Sequence, residues 1–201
     1  MLNLKKSIVQ FDTSLIDIFN SIFSKSDKNE VSVINNLNLN AFVYNMKFKL
    51  KGYGKMAPHV YREHLNKDFF STEASRDLLF YDEDLKYLKL ESDDNIKLMN
   101  KNFNTLAKAL AKRNIKLIFM PAVDKYNLYS PYIISNTYQK SIFFEYLDSL
   151  PKDYIFINTK KILSEQLEKG EKDIFYADDT HWSHKASEVI IKDDSFKIIF
   201  N

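Results

Sequence analysis

The stretch DDNIKLMNKNFNTLAKALAKRNIKLIFM, Asp93 to Met120, decides the fold class. Met99, Phe103, Leu106 and Leu110 recur at three- and four-residue spacing, with Ala107 and Ala111 beside them. That is the stripe of an amphipathic helix over Asp93–Arg113. Asp93 or Asp94 caps its start, Lys112 and Arg113 suit its end, and Asn114 stops it. Ile115–Met120 then reads as a buried strand, because a short, nearly continuous apolar run is what a parallel sheet carries. A helix followed directly by a buried strand is the α/β pattern.

The pattern continues on both sides. Leu78–Tyr81 is the first strand of the core. Gln139–Leu150 is a helix with Ile142, Phe143, Tyr146, Leu147 and Leu150 inward. Tyr154–Ile157 is a strand, and Thr159–Glu168 a helix ended by Gly170. Ile174–Ala177 gives another strand, and Ser183 caps a helix over His184–Ile191. The core therefore reads β-α-β-α-β-α-β-α, a three-layer sandwich around a mostly parallel sheet. Pro121–Tyr132 is a loop at the C-terminal end of a parallel strand, the edge where open α/β sheets place their sites. Asp124 and Lys125 are there either site neighbours or a surface ion pair.

Residues 5–23 carry Ile8, Phe11, Leu15, Ile18, Phe19 and Ile22 at helical spacing, a helix docked on the domain or a neighbour. Ser24–Asn40 reads as a polar linker. Ala41–Lys51 is helix or strand, broken by Gly52 and Gly54. Lys55, His59, Arg62, His64 and Lys67 form a basic cluster, read as a solvated face or an anion site. The resulting division is an N-terminal extension over 1–75, an α/β domain over 76–191 and a tail over 192–201.

Composition removes several function classes. A formal net charge of +2, with the two signs interspersed, gives no footprint for nucleic acid. Three glycines leave no P-loop or dinucleotide fingerprint. The absence of Cys excludes disulfides and thiolate metal sites in these residues. No apolar run approaches membrane-spanning length, and Met1–Lys25 has no signal-peptide pattern, so the chain as written reads as cytoplasmic.

The chemistry concentrates in Ile174-Phe175-Tyr176-Ala177-Asp178-Asp179-Thr180-His181-Trp182-Ser183-His184. A His at a strand-to-helix turn, with acids two and three residues before it, suits an acid–base site. One carboxylate accepts the Nδ1–H and leaves Nε2 to take a proton. Either Asp178 or Asp179 has the spacing to do so. Two other readings stand beside this: a metal held by His181, His184, Asp178 and Asp179, or a structural His. No third His or Cys is near, so the expectation is no metal and no cofactor.

Asp179-Thr180-His181-Trp182-Ser183 resembles the Asp-x-His-Trp-Ser/Thr motif of the SGNH-hydrolase-like domain of alginate O-acetyltransferases. Asp77–Tyr81, Lys116–Lys125 with Leu128-Tyr129, and Tyr154–Leu163 resemble that family's other segments in the same order. The resemblance covers about residues 76–191 and implies an SGNH-hydrolase-like fold. It selects Asp179 as the partner of His181. It places Trp182, Lys125, Asp124 and Tyr129 around a substrate, with Trp182 also packing against the His turn. It implies a polysaccharide substrate, an acetyl donor and a periplasmic or cell-envelope location. The family's nucleophilic Ser lies downstream, in a Gly-x-Ser-Phe-like string. Ser195 in Asp193-Asp194-Ser195-Phe196 is the candidate, with Asp193 where the family has Gly. Geometry argues against it. A helix over 184–191 carries the chain roughly 12 Å away, and the four residues after it span about 14 Å at most. The expected function is that of an O-acetyltransferase or acetylesterase shortened at its C-terminus. The alternatives are an inactive remnant that binds carbohydrate or protein, and a metal-dependent hydrolase.

Overall fold

The computed structural model describes residues 36–135 and 137–200. The helix expected over residues 5–23 lies outside them. Asn36–Lys51 forms α1, which takes in the Asn36–Asn40 end of the stretch read as a linker. Gly52 and Gly54, both at positive φ, end it. The chain then builds an antiparallel sheet in the order β1 (Gly54–Ala57), β2 (Val60–His64), β3 (Asp77–Tyr81). β2 and β3 pair from Val60–Tyr81 to His64–Asp77. Alternation turns Tyr61, Glu63, Leu78 and Phe80 to the core, and Arg62, His64, Asp77 and Leu79 to the other face. β3 is thus the third strand of an antiparallel sheet, not the first of a parallel one. This sheet crosses the boundary drawn at 75/76, and Asn40–Asn201 forms one compact unit.

α2 (Asp82–Tyr87) and a 3-10 turn (Leu88–Leu90) lead to α3 (Asp93–Ala111). Ser92, rather than Asp93 or Asp94, caps α3 by accepting the Asn95 N–H at 3.2 Å. Asn114 stops it at φ 58°. Its N–H reaches the Ala111 carbonyl at 3.0 Å, and the Ile115 N–H reaches Leu110 at 3.1 Å, a Schellman closure. The inward stripe is rotated from the one expected. Ile96, Asn100 and Ala107 are buried and Phe103 half-buried, while Leu106 is 45% exposed. Asn100 belongs to this face because its amide donates to the Pro151 carbonyl and accepts from the Tyr154 hydroxyl, at 3.0 and 2.8 Å. An apolar count cannot register such a residue.

β4 (Ile118–Phe119) pairs in parallel with β5 (Ile155–Phe156). The strand expected to be buried over Ile115–Met120 is shorter and more open, with Ile115, Ile118 and Met120 exposed. Among the described residues the sandwich is therefore one parallel pair and one three-stranded antiparallel sheet. Between β4 and β5, Pro121–Tyr132 is not a surface loop. It holds α4 (Lys125–Tyr129), all five of whose residues are buried, and a 3-10 turn (Ser130–Tyr132).

α5 (Phe143–Ser149) starts later than the apolar pattern suggests, because Glu91 takes the Ser141 hydroxyl and the Ile142 N–H at 2.8 and 2.9 Å. Phe144 and Leu147 face inward, and Ile142 is exposed. α6 (Thr159–Glu168) runs as read, capped by Asn158 and followed by Gly170 at φ 87°. α7 (His184–Lys192) starts at its Ser183 cap, and α8 (Asp194–Lys197) follows. The core is unusually aromatic, with Phe69, Phe70, Phe80, Tyr126, Tyr129 and Phe175 all buried. No described helix is long and apolar enough to cross a membrane.

The rotated stripe sets a test by urea denaturation. Leu106→Ala is expected to change stability by no more than about 0.5 kcal/mol, as for a surface site. Ala107→Leu is expected to cost about 1–3 kcal/mol by overpacking.

Candidate active site

Asp173 anchors the segment that carries the site. It sits at φ 61°, a conformation Asp tolerates better than most residues. Its N–H donates to the Phe69 carbonyl at 2.9 Å. Its carboxylate accepts the Ser71 N–H at 2.8 Å and the Ser71 hydroxyl at 2.6 Å. Ile174 and Phe175 then enter the core. Phe175 bridges antiparallel to Trp182, the Ser183 N–H donates to Ile174 at 2.8 Å, and the Tyr176 N–H to His181 at 3.2 Å. Ile174–Ala177 is therefore one arm of a closed turn, not a strand of a parallel sheet. Its backbone finds partners across the turn and on the Lys125 ammonium, which takes the Tyr176 and Ala177 carbonyls, so no neighbouring strand is needed.

At the tip of this turn one oxygen of the Asp179 carboxylate gathers four donors, the farthest being the Thr180 hydroxyl at 3.5 Å. Oδ1 accepts the Thr180 N–H at 2.5 Å, the His181 N–H at 3.2 Å and the His181 ring at Nδ1, 2.7 Å away. The His181 ring bond, then the two backbone bonds, hold the Asp179 carboxyl below its ordinary value. An ionised carboxylate only accepts, so Nδ1 carries the hydrogen and Nε2 is left as the base. The imidazole is 80% exposed, so Nε2 is open to an incoming group.

The other expected residues take different places. Asp178 is exposed and makes no hydrogen bond to His181. Lys125 and Tyr129 are fully buried in α4 and cannot touch a substrate at the surface. Tyr129 packs on Phe69, Phe70 and Phe175. Asp124 caps α4 by taking the Asn127 N–H at 2.7 Å and its side-chain amide. Burial raises its carboxyl. Trp182 is half-buried against the core and closes the turn. The Ser195 hydroxyl donates to Asp193, whose carboxylate also caps α8 at 2.9 Å. No described hydroxyl hydrogen-bonds to the His181 ring. No three described His, Asp or Glu side chains converge as a metal site. In the basic cluster, Arg62 and His64 engage Asp77, and His59 and Lys55 lie against Asp82.

Three contributors were not read from the sequence. Asp173 and Ser71 join across 102 residues, which no local pattern marks. Asp84 of α2 is pushed up to about 7 by burial and by Asp124. A groove of about 710 Å³ runs beside the turn, between the outer face of the antiparallel sheet and the segment from Asp173 to Lys185. Met56, Arg62 and Leu79 line one side, and Tyr176, Asp178 and His184 the other.

The family described as SGNH hydrolase-like domain, acetyltransferase AlgX, matches residues 72–192. The chain belongs to this family. The matched span starts ahead of β3 and ends with α7, so it contains the Asp179–His181 turn. No curated protein and no solved structure matches the chain.

Within this AlgX-type domain the Asp179 carboxyl offers a direct check. Its folded value is depressed, so the bond to His181 is present above 3.8 and lost only as pH falls through that lower value. By 13C NMR the carboxyl is expected to titrate below 3.8, and to move back up in His181→Ala, which removes the largest cause.

Proposed function

We propose that the domain moves or removes an acetyl ester on a polysaccharide. The observation that carries this reading is the 2.7 Å pairing of Asp179 with the exposed His181, in a chain of the AlgX family. His181 Nε2 takes the proton of an attacking hydroxyl and then returns it to the leaving oxygen. Asp179 holds the ring and stabilises the imidazolium. The groove beside the turn suits the sugar. Tyr176 offers a 46% exposed ring, and the groove's cations face carboxylates, Arg62 on Asp77 and Lys185 on Asp173 at 3.9 Å. No cofactor enters this scheme.

A second reading, an inactive domain that binds glycan or a partner, is favoured by one observation. Ser195 is occupied by Asp193, and no described hydroxyl meets the His181 ring. The nucleophile of the first reading is therefore unassigned.

Hydrolysis of an activated acetyl ester separates the two. Slow turnover is expected, reduced about a hundredfold or more in His181→Ala, the range of a lost general base. Ser195→Ala is expected to leave it unchanged. Turnover indifferent to His181→Ala, or none in any form while glycan binding persists, would move the reading to the binding domain.

A further inference from the structure

Lys125 opens α4 with its side chain fully buried. Its Nζ donates to the carbonyls of Tyr176, Ala177 and Asp179 at 2.6, 2.9 and 2.9 Å. It also lies 5.1 Å from the centre of the Phe70 ring. Three N–H groups meet three acceptors, so the donor capacity of an ammonium is used in full. A buried ion is a costly way to fill a core, and a methionine would occupy similar space without desolvating a charge. What the ammonium provides and a methionine cannot is a fixed position for those carbonyls. The last of them belongs to Asp179. Fixing its carbonyl fixes the Cα from which its carboxylate reaches His181.

We infer that Lys125 is a positioning residue whose buried ammonium clamps the Tyr176–Asp179 backbone and so holds the Asp179–His181 pair in register. The inference takes that pair to be the acid–base pair of the proposed function. The charges facing the ammonium are Asp178 and Asp179 on the turn and Asp84 on α2. They oppose burial, which still takes Lys125 down to about 8. Between about 8 and 10.5 the folded chain sheds a proton that the unfolded chain keeps, so this group adds to global stability as pH rises. The neutral amine has only two N–H groups for the three carbonyls.

The test uses the full 15N-labelled chain and needs no turnover. Ring-nitrogen shifts of His181 report the Nδ1–H tautomer, and amide exchange at Tyr176, Thr180 and His181 reports the turn. Lys125→Met is expected to speed exchange at those amides by about ten- to a hundredfold, the factor for a lost charge-assisted hydrogen bond. It is also expected to shift the ring toward Nε2–H while Ala107 in α3 keeps its protection. The chain has no Cys. Lys125→Cys, alkylated unfolded with 2-bromoethylamine and refolded, thus restores one ammonium at the same reach. Return of both signals supports the clamp. Wild-type tautomer and exchange in a folded Lys125→Met overturn it. If neither variant folds, amide exchange in the wild-type chain decides. The Tyr176, Thr180 and His181 amides must exchange at least about tenfold more slowly than in the unfolded chain, and exchange at the unfolded rate overturns the clamp. A chain that hydrolyses no ester but passes these tests removes the enzymatic reading and keeps the clamp.

Discussion

Five consecutive buried residues, Lys125 to Tyr129, impose the constraint that the rest of this domain satisfies. A short helix in a core brings unpaired backbone groups and, here, a cation and two phenols with it. The helix start, the cation and one of the phenols are answered by different parts of the chain. Asp124 takes the Asn127 N–H at the start of the helix. The Tyr126 hydroxyl donates to Gln139 at 2.7 Å. Thr159, itself fully buried, donates to Pro121 at 2.6 Å and accepts from Val123 at 3.1 Å, tying the approach to α4 onto the start of α6. Lys125 is answered by the backbone of the His181 turn. Lys125 therefore ties the core to the candidate site.

That coupling explains which parts of the fold the sequence carries openly. α6 and α7 were read within a residue of their observed ends, because both have a local cap, Asn158 or Ser183, and an apolar stripe. The stop of α3 at Asn114 was legible for the same reason. The failures fall where a distant partner decides. Glu91 delays α5, and Pro151 with Tyr154 draws Asn100 inward. Pro121–Tyr132 looked like a solvent loop because it is rich in polar residues. It is buried because Asp124, Thr159 and three carbonyls of the turn receive those polar groups. Ile174–Ala177 has a strand's composition, but its hydrogen bonds across the turn close on His181 and Ser183.

The candidate site divides along the same line. The Asp179–His181 pair is a contact between neighbours, so spacing alone could propose it, although the choice between Asp178 and Asp179 came from the family motif. The substrate-facing role of Lys125 rests on a loop at the sheet's C-terminal edge as well as on the motif, and that of Tyr129 on the motif's order alone. Order carries no information about burial. Both side chains turn inward from α4, and one reaches the turn from behind. Ser195 was considered for a weak string match, and Asp193 holds its hydroxyl instead.

The two sides of the turn have opposite electrostatic character, and this follows from solvent. On the outer side Asp179 and His181 are in water, where an isolated exposed pair is weak and freely rearranges. An exposed pair would not keep one geometry through its mutual attraction. It keeps one when its backbone is held from the dry side, where a hydrogen bond to a charge is stronger and cannot be traded for water. The backbone donors of Thr180 and His181 converge on the same Asp179 oxygen as the ring does. Holding the carbonyls therefore also orients the carboxylate. Here the accessible histidine has a buried charge behind its turn, the Lys125 ammonium on three of the turn's carbonyls.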